Sequence, residues 1–323
     1  MNLLYALFSL LPQPFSSPPQ APLHINPVSI DVDTKVTMDN WLFSDWNTYS
    51  FAWTTSTTFY PEVEVIDLSD DALGVHRVDT RRPPHTIVSA PNVSSSLEQK
   101  AWRIFYPKGS INPNGKIPGG MGFHVSGPKL FKDKLESANE VLFGYSVLFE
   151  EGFEWVKGGK LPGGFGGAED NAYHCTGGRK EQRDTCYNLR LMWRKAGNGE
   201  LYAYLPMTDE NTVGLLKIPP KSIKNPDYGF SVGRGAFKFT SGSWVTIVQR
   251  IKLNDVGEQN GEIEIRADGK TVIFASGLTI RTTPNSTIKG IHFESFFGGH
   301  SPEWASPKDQ YAYFTNISGA IIS

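Results

Sequence analysis

The chain has 323 residues, and what it lacks narrows the field before any motif is considered. Only two cysteines are present, Cys175 and Cys186. A structural metal site needs about four Cys or His ligands at close spacing, and only His174 stands near the pair, so no metal site and no cofactor are expected. There is no excess of one charge: 31 Lys and Arg oppose 33 Asp and Glu, a net of −2. General nucleic-acid binders usually carry a basic excess, so no nucleic-acid partner is expected. No apolar run is long enough to cross a bilayer. No stretch sustains a 3.6-residue period, and "FKDKLESANEVL" is the best, brief, helical candidate. The glycine-rich "GGKLPGGFGG" lacks the GxxxxGK[ST] pattern of a phosphate-cradling loop. No ExDxxE-like strand sets two carboxylates on one face, which places glycoside hydrolysis last among the readings.

Short strand-like segments, by contrast, are abundant. "WLFSDWNTYSFAWTTSTTFY", "WRIFYPKGS", "VLFGYSVLFE", "YNLRLMWRK", "ELYAYLP", "SWVTIVQRIKL", "GEIEIRADGKTVIFAS", "IKGIHFESFFGG" and "QYAYFTNISGAII" are rich in β-branched and aromatic residues. Gly, Pro, Asn and Asp clusters separate them, and Asp268-Gly269 is the strongest hairpin signal. This pattern predicts an all-β fold, a two-sheet antiparallel β-sandwich of jelly-roll type. Residues 1–21 read as a signal peptide, with a short apolar run from Leu3 to Leu11. A Pro-rich leader follows over 22–40, and one β-domain spans 41–323. A secreted, extracellular protein is therefore expected, with N-x-S/T sequons at Asn92, Asn285 and Asn316 as glycosylation candidates. Cys175 and Cys186 favour a disulfide, which would stabilise the fold by about 2–3 kcal/mol through loop closure. Free thiols or half of a metal site are the alternatives.

Six glycines and one proline surround a single cation, Lys160, in residues 158–167. Read alone, this is a loop lysine in solvent. The segment "CYNLRLMWRKAGNGELYAYLP" changes the balance. Leu189, Leu191 and Trp193 alternate with Asn188, Arg190, Met192 and Arg194, so one strand face is apolar and the other cationic. A two-residue Asn198-Gly199 turn would turn Tyr202 and Tyr204 toward the core. A three-residue Gly197–Gly199 loop pairs Tyr202 with Arg194 and Tyr204 with Met192, and sets both phenols on the Arg190 face. The alternation of Glu200 and Leu201 favours the second. Between Lys157 and Lys195 there are eight Lys or Arg against four acids, a surplus that would concentrate a polyanion. Lysines and arginines that blunt a strand edge are the plain structural alternative. An amine, a guanidinium, an amide and two phenols suit β-elimination beside a carboxylate. Arg190 and Asn188 can hold a uronate carboxylate, while Tyr or Lys serves as base and Tyr as acid.

"GGKLPG", "CTGG", "RLMWR", the Tyr-x-Tyr strand, "SWVTIVQRIKLN" and "FESFFGGHSPEWASPKDQYAYFTNI" together resemble polysaccharide lyase family 14. The resemblance runs in order from about Trp102 to the C-terminus and is weak upstream. It implies a jelly-roll lyase that cleaves alginate or β-1,4-glucuronan by elimination, leaving an unsaturated uronate at the new non-reducing end. Carried over by position, it implies catalytic roles for Lys160, Arg190, Tyr202 and Tyr204. Asn188 stands where several alginate-cleaving members have serine, and the loop that holds the cysteines is longer here. Both departures touch substrate contacts, to which Arg194 and His174 also belong in this reading; His174 is the one nearby candidate for a family histidine. The expected partner is an acidic polysaccharide, with no membrane, and the chain is expected to be a monomer. The competing reading is a non-catalytic, lectin-like sugar-binding sandwich.

Overall fold

A computed structural model describes residues 49–58, 63–93, 98–179 and 181–323. The expected signal peptide, the leader and the opening of the first strand-like segment lie outside the described residues. Two sheets dominate. One runs β15 (Lys270–Leu278), β14 (Gly261–Ala267), β13 (Trp244–Lys252), β7 (Glu140–Phe149), β17 (Gln310–Ile321), β1 (Phe51–Thr54) and β2 (Glu64–Val65). β5 (Lys100–Tyr106) pairs the first half of β17, and β4 (Thr86–Ser89) pairs β5. The other sheet runs β11 (Ile223–Asn225), β12 (Gly229–Lys238), β10 (Asn198–Tyr204), β9 (Cys186–Arg194), β8 (Gly158–Ala168), β16 (Ser286–Phe297), β6 (Met121–Val125) and β3 (Val75–His76). Every pairing is antiparallel except the short β1–β2 contact.

Period-2 alternation explains the two-layer arrangement. Phe143, Tyr145 and Val147 of β7 and Leu189, Leu191 and Trp193 of β9 are all buried in one core between the sheets. The intervening residues of β9, Asn188, Arg190 and Met192, take the opposite face. Asp268 and Gly269 form the tight β14–β15 turn as expected, with φ of 48° and 75° at the two turn positions. The helical candidate is shifted: α1 covers Lys129–Leu135, and the candidate's last three residues, Glu140 to Leu142, open β7 instead. A second helix, α2 (Asp209–Leu216), was not anticipated; the Thr208 hydroxyl caps it by accepting from the Asn211 N–H at 3.1 Å.

The glycine-rich decapeptide is a strand, not a loop. β8 lies between β9 and β16 near the middle of its sheet, and close neighbours explain its composition. A Cβ at Gly163 would lie 2.1 Å from the Leu189 carbonyl oxygen, and one at Gly166 would lie 2.3 Å from the Tyr187 hydroxyl. Between Lys160 and Gly163 a bulge sets Leu161 and Pro162 opposite one residue of β9. Proline is tolerated there because a bulge position needs no ladder donor. The groups the bulge frees are bonded across the core: the Tyr145 hydroxyl donates to the Pro162 carbonyl at 3.2 Å, and the Gly164 N–H donates to Gln249 Oε1 at 2.6 Å.

Two expectations on the surface need correction or restatement. Asn316 is fully buried in β17 and its amide donates to the Ser146 hydroxyl at 3.2 Å, so the folded chain cannot carry a glycan there. Asn92 and Asn285 are exposed. Cys175 and Cys186 form a disulfide.

Candidate active site

The outer face of the second sheet gathers the cations and phenols. The β9–β10 connection is Lys195–Gly197, with Ala196 and Gly197 at φ of 60° and 78°. The loop has the expected length but lies two residues earlier than Gly197–Gly199. Tyr202 therefore faces Arg190 and Tyr204 faces Asn188, rather than Arg194 and Met192. The shift is even, and an even shift leaves every side chain on its face. Both phenols accordingly share a surface with Arg190.

Lys160 projects onto the same surface from β8. Its Nζ lies 3.4 Å from the centre of the Tyr202 ring and 5.4 Å from that of Tyr204, and it donates to Met192 Sδ at 3.2 Å. The Arg190 guanidinium lies 5.6 Å from the Tyr204 ring, and that of Arg194 lies 5.8 Å from the Tyr202 ring. The two tyrosine rings meet edge to face at 5.5 Å. Lys160, Arg190, Asn188 and Tyr204 are all buried. Burial, with Arg190 and Arg194 close by, holds the Lys160 amine well below the usual lysine range. Burial pushes both phenols the other way: Tyr202 is raised by desolvation and by its neighbour Tyr204, and Tyr204 is raised by desolvation despite the opposing charge of Arg190. Burial thus biases the amine as well as the phenols toward their neutral forms.

Two buried carboxylates hold the arginines. Glu200, fully buried on β10, bonds Arg194, the Ser231 hydroxyl at 2.8 Å and Arg234 Nε at 2.7 Å. Glu294, on β16, bonds Arg190 through Oε2 and Arg82 Nη2 through Oε1 at 2.7 Å. Asn188 Nδ2 pairs with His292 Nδ1 at 2.8 Å, and the His292 ring stacks on that of His124 at 4.4 Å. Burial, with other cations nearby, keeps both imidazoles neutral, His124 down to about 2 and His292 well below the usual range.

The disulfide forms part of the wall. Cys175 and Cys186 pack against Tyr204, and a Cβ at Gly177 would lie 2.7 Å from the Tyr204 hydroxyl oxygen. The Gly178 N–H donates to the Asp227 carbonyl at 3.1 Å and Arg183 Nη1 donates to that of Pro226 at 3.3 Å, tying this loop to the β11–β12 turn. His174 is exposed in a 3₁₀ turn and makes no side-chain hydrogen bond to the cluster. The histidines at the cluster are His292 and His124. Their signal was present in "IHFESFF" and "GFHV", where His292, Glu294 and His124 alternate with core residues. Among the described residues, no three His, Cys, Asp or Glu side chains gather to hold a metal ion.

The family model for polysaccharide lyase 14 matches residues 94–317. A marine PL-14 alginate lyase from Aplysia kurodai shares 34% identity, over 77% of this chain and 91% of that one, with a TM-score of 0.64. Alginate lyase vAL-1 from Chlorella virus shares 22% identity over 77% and 93% of the two chains, with a TM-score of 0.61. The alginate lyase Aly36B is 23% identical over 68% and 80%, with a TM-score of 0.52, and adds to the agreement of fold. A comparison with curated protein sequences gives no match.

Proposed function

The chain belongs to polysaccharide lyase family 14 and is a carbon–oxygen lyase acting on polysaccharides, and on that premise we propose that it cleaves alginate outside the cell, with Lys160, Arg190, Tyr202 and Tyr204 as its catalytic set. The observation that carries the catalytic assignment is the convergence of one buried amine, one guanidinium and two phenols on a single sheet face, with the amine and the guanidinium each within 6 Å of the Tyr204 ring centre. Arg190, aided by the Asn188 amide, binds the uronate carboxylate and makes the neighbouring C5 proton acidic. The Lys160 amine, whose proton affinity is lowered by burial among cations, takes that proton in its neutral form. The electron pair left on C5 forms the C4–C5 double bond as the C4–O bond breaks. A phenol of the tyrosine pair, held protonated by burial, donates to the departing oxygen. The amine leaves the step as an ammonium, and transfer of its proton to the phenolate restores the site.

Alginate is favoured over polyglucuronate because the relative sharing 34% identity is an alginate lyase. The apolar N-terminal run and the disulfide support secretion. A direct test incubates the protein with alginate, polyglucuronate and a neutral glucan while following the ultraviolet absorbance of the conjugated alkene. Growth on alginate, with none on the glucan, is the expected result. Binding to alginate without any absorbance change would favour the lectin-like reading instead.

A further inference from the structure

Arg190 does not stand alone. Its Nη1 is engaged by Glu294, and a substrate carboxylate approaching a closed Arg–Glu pair would meet a neutral partner rather than a cation. A third group alters that balance. Arg82, upstream of the residues matched by the family model, holds the other oxygen of Glu294 at 2.7 Å. Its side chain is 3% exposed. Its remaining donors are used inward: Nε bonds Asp79 Oδ2 at 3.1 Å, and Nη1 bonds the carbonyls of Gly119 at 3.2 Å and Ser295 at 3.4 Å. Asp79 in turn is paired with Arg81 at 2.8 Å. His292, with Nε2 3.5 Å from Glu294 Oε2, also faces this carboxylate and has a neutral imidazole, and Lys160, Tyr204 and His124 feel its charge.

The two arginines on Glu294 therefore differ. Arg82 is held by the protein on every side that its bonds reach, whereas Arg190 Nε is buried with no hydrogen-bond partner. A buried donor without a partner carries a desolvation cost that a ligand oxygen bonded to it would recover. Resting on the reading that Arg190 captures the uronate carboxylate, we infer that Arg82 is a positioning residue for it: through Glu294 it fixes the guanidinium and supplies the positive charge that Glu294 would otherwise cancel. The Arg190–Glu294–Arg82 group then carries one net positive charge, which a substrate carboxylate meets at Arg190.

The test is a double-mutant comparison on alginate, with thermal midpoints and circular dichroism confirming that each variant is folded. Arg82→Met leaves Glu294 to neutralise Arg190, and KM should rise about tenfold. Arg82→Lys keeps the charge without the guanidinium's several bonds, and its KM should fall between those of wild type and Arg82→Met. The decisive variant is Arg82→Met with Glu294→Gln. Removing the carboxylate charge frees Arg190, and KM should fall back toward the wild-type value. A purely structural role predicts that the double variant is no better than Arg82→Met, and that result, or an unchanged KM in Arg82→Met, overturns the inference. If Arg82→Met does not fold, Arg82→Gln and its Glu294→Gln double variant are compared by the same criterion. Absence of alkene from wild-type protein on every polyuronate would instead overturn the functional reading on which the inference rests.

Discussion

The chemistry of single residues is set here by burial. Lys160 is 7% exposed, and desolvation, with Arg190 and Arg194 nearby, depresses its proton affinity. That makes it useful as a base and costly to the fold. The sign follows from linkage: the unfolded chain binds a proton at this amine that the folded chain gives up. The contribution of Lys160 to stability therefore falls as pH drops from the usual lysine value toward the depressed one. Lys160→Met, which fills similar volume without a charge, should raise the thermal midpoint, by about 1–2 kcal/mol of stability near pH 7. The gain should be smaller near pH 9, and thermal melts of both proteins at the two pH values measure it. The shared face of Arg190 and the tyrosines was legible at this scale because period-2 alternation fixes a side chain's face. Arg82 was not, since its contact with Glu294 joins positions 212 residues apart.

At the scale of elements, β8 is the part the sequence disguised. Six glycines give no strand propensity, so "GGKLPGGFGG" reads as a loop, yet the strand exists because neighbouring backbone and side chains press so closely that little else fits. The bulge at Leu161–Pro162 lets Lys160 and Gly163 both face outward although they are three positions apart. Gly163→Ala would drive a Cβ to 2.1 Å from the Leu189 carbonyl oxygen and 2.7 Å from the Arg190 Cα. Separation of β8 from β9 should cost about 3 kcal/mol, visible as a lower urea midpoint, and should displace Arg190 from Lys160 with a loss of turnover. The β9–β10 hairpin shows the opposite case. Its loop was misplaced by two residues, and the functional face survived because the register error was even.

Across the whole molecule, a chain with net charge −2 brings Lys160, Arg190 and Arg194 to one sheet face. The run from Lys157 to Lys195 carries eight Lys or Arg against four acids in sequence, and Arg82 and Arg234 reach Glu294 and Glu200 from distant segments. Such a surface draws a polyanion from solution, and salt screens that attraction. KM for alginate should rise several-fold between about 0.05 and 0.5 M NaCl while kcat changes less; equal KM values would show that long-range charge plays no part. The two-sheet fold was readable from strand spacing alone. The wall that the Cys175–Cys186 loop builds beside Tyr204 was not, because a disulfide ties two positions without revealing what they cover.

The most direct measurement of the account is the rate of alkene formation on alginate by folded Lys160→Met protein. Loss of the amine that lies 3.4 Å from the Tyr202 ring centre should lower that rate by about thousandfold, with the thermal midpoint kept or raised. A folded variant that forms alkene within about tenfold of the wild-type rate would contradict the assignment of the base, and with it the chemistry placed on this sheet face.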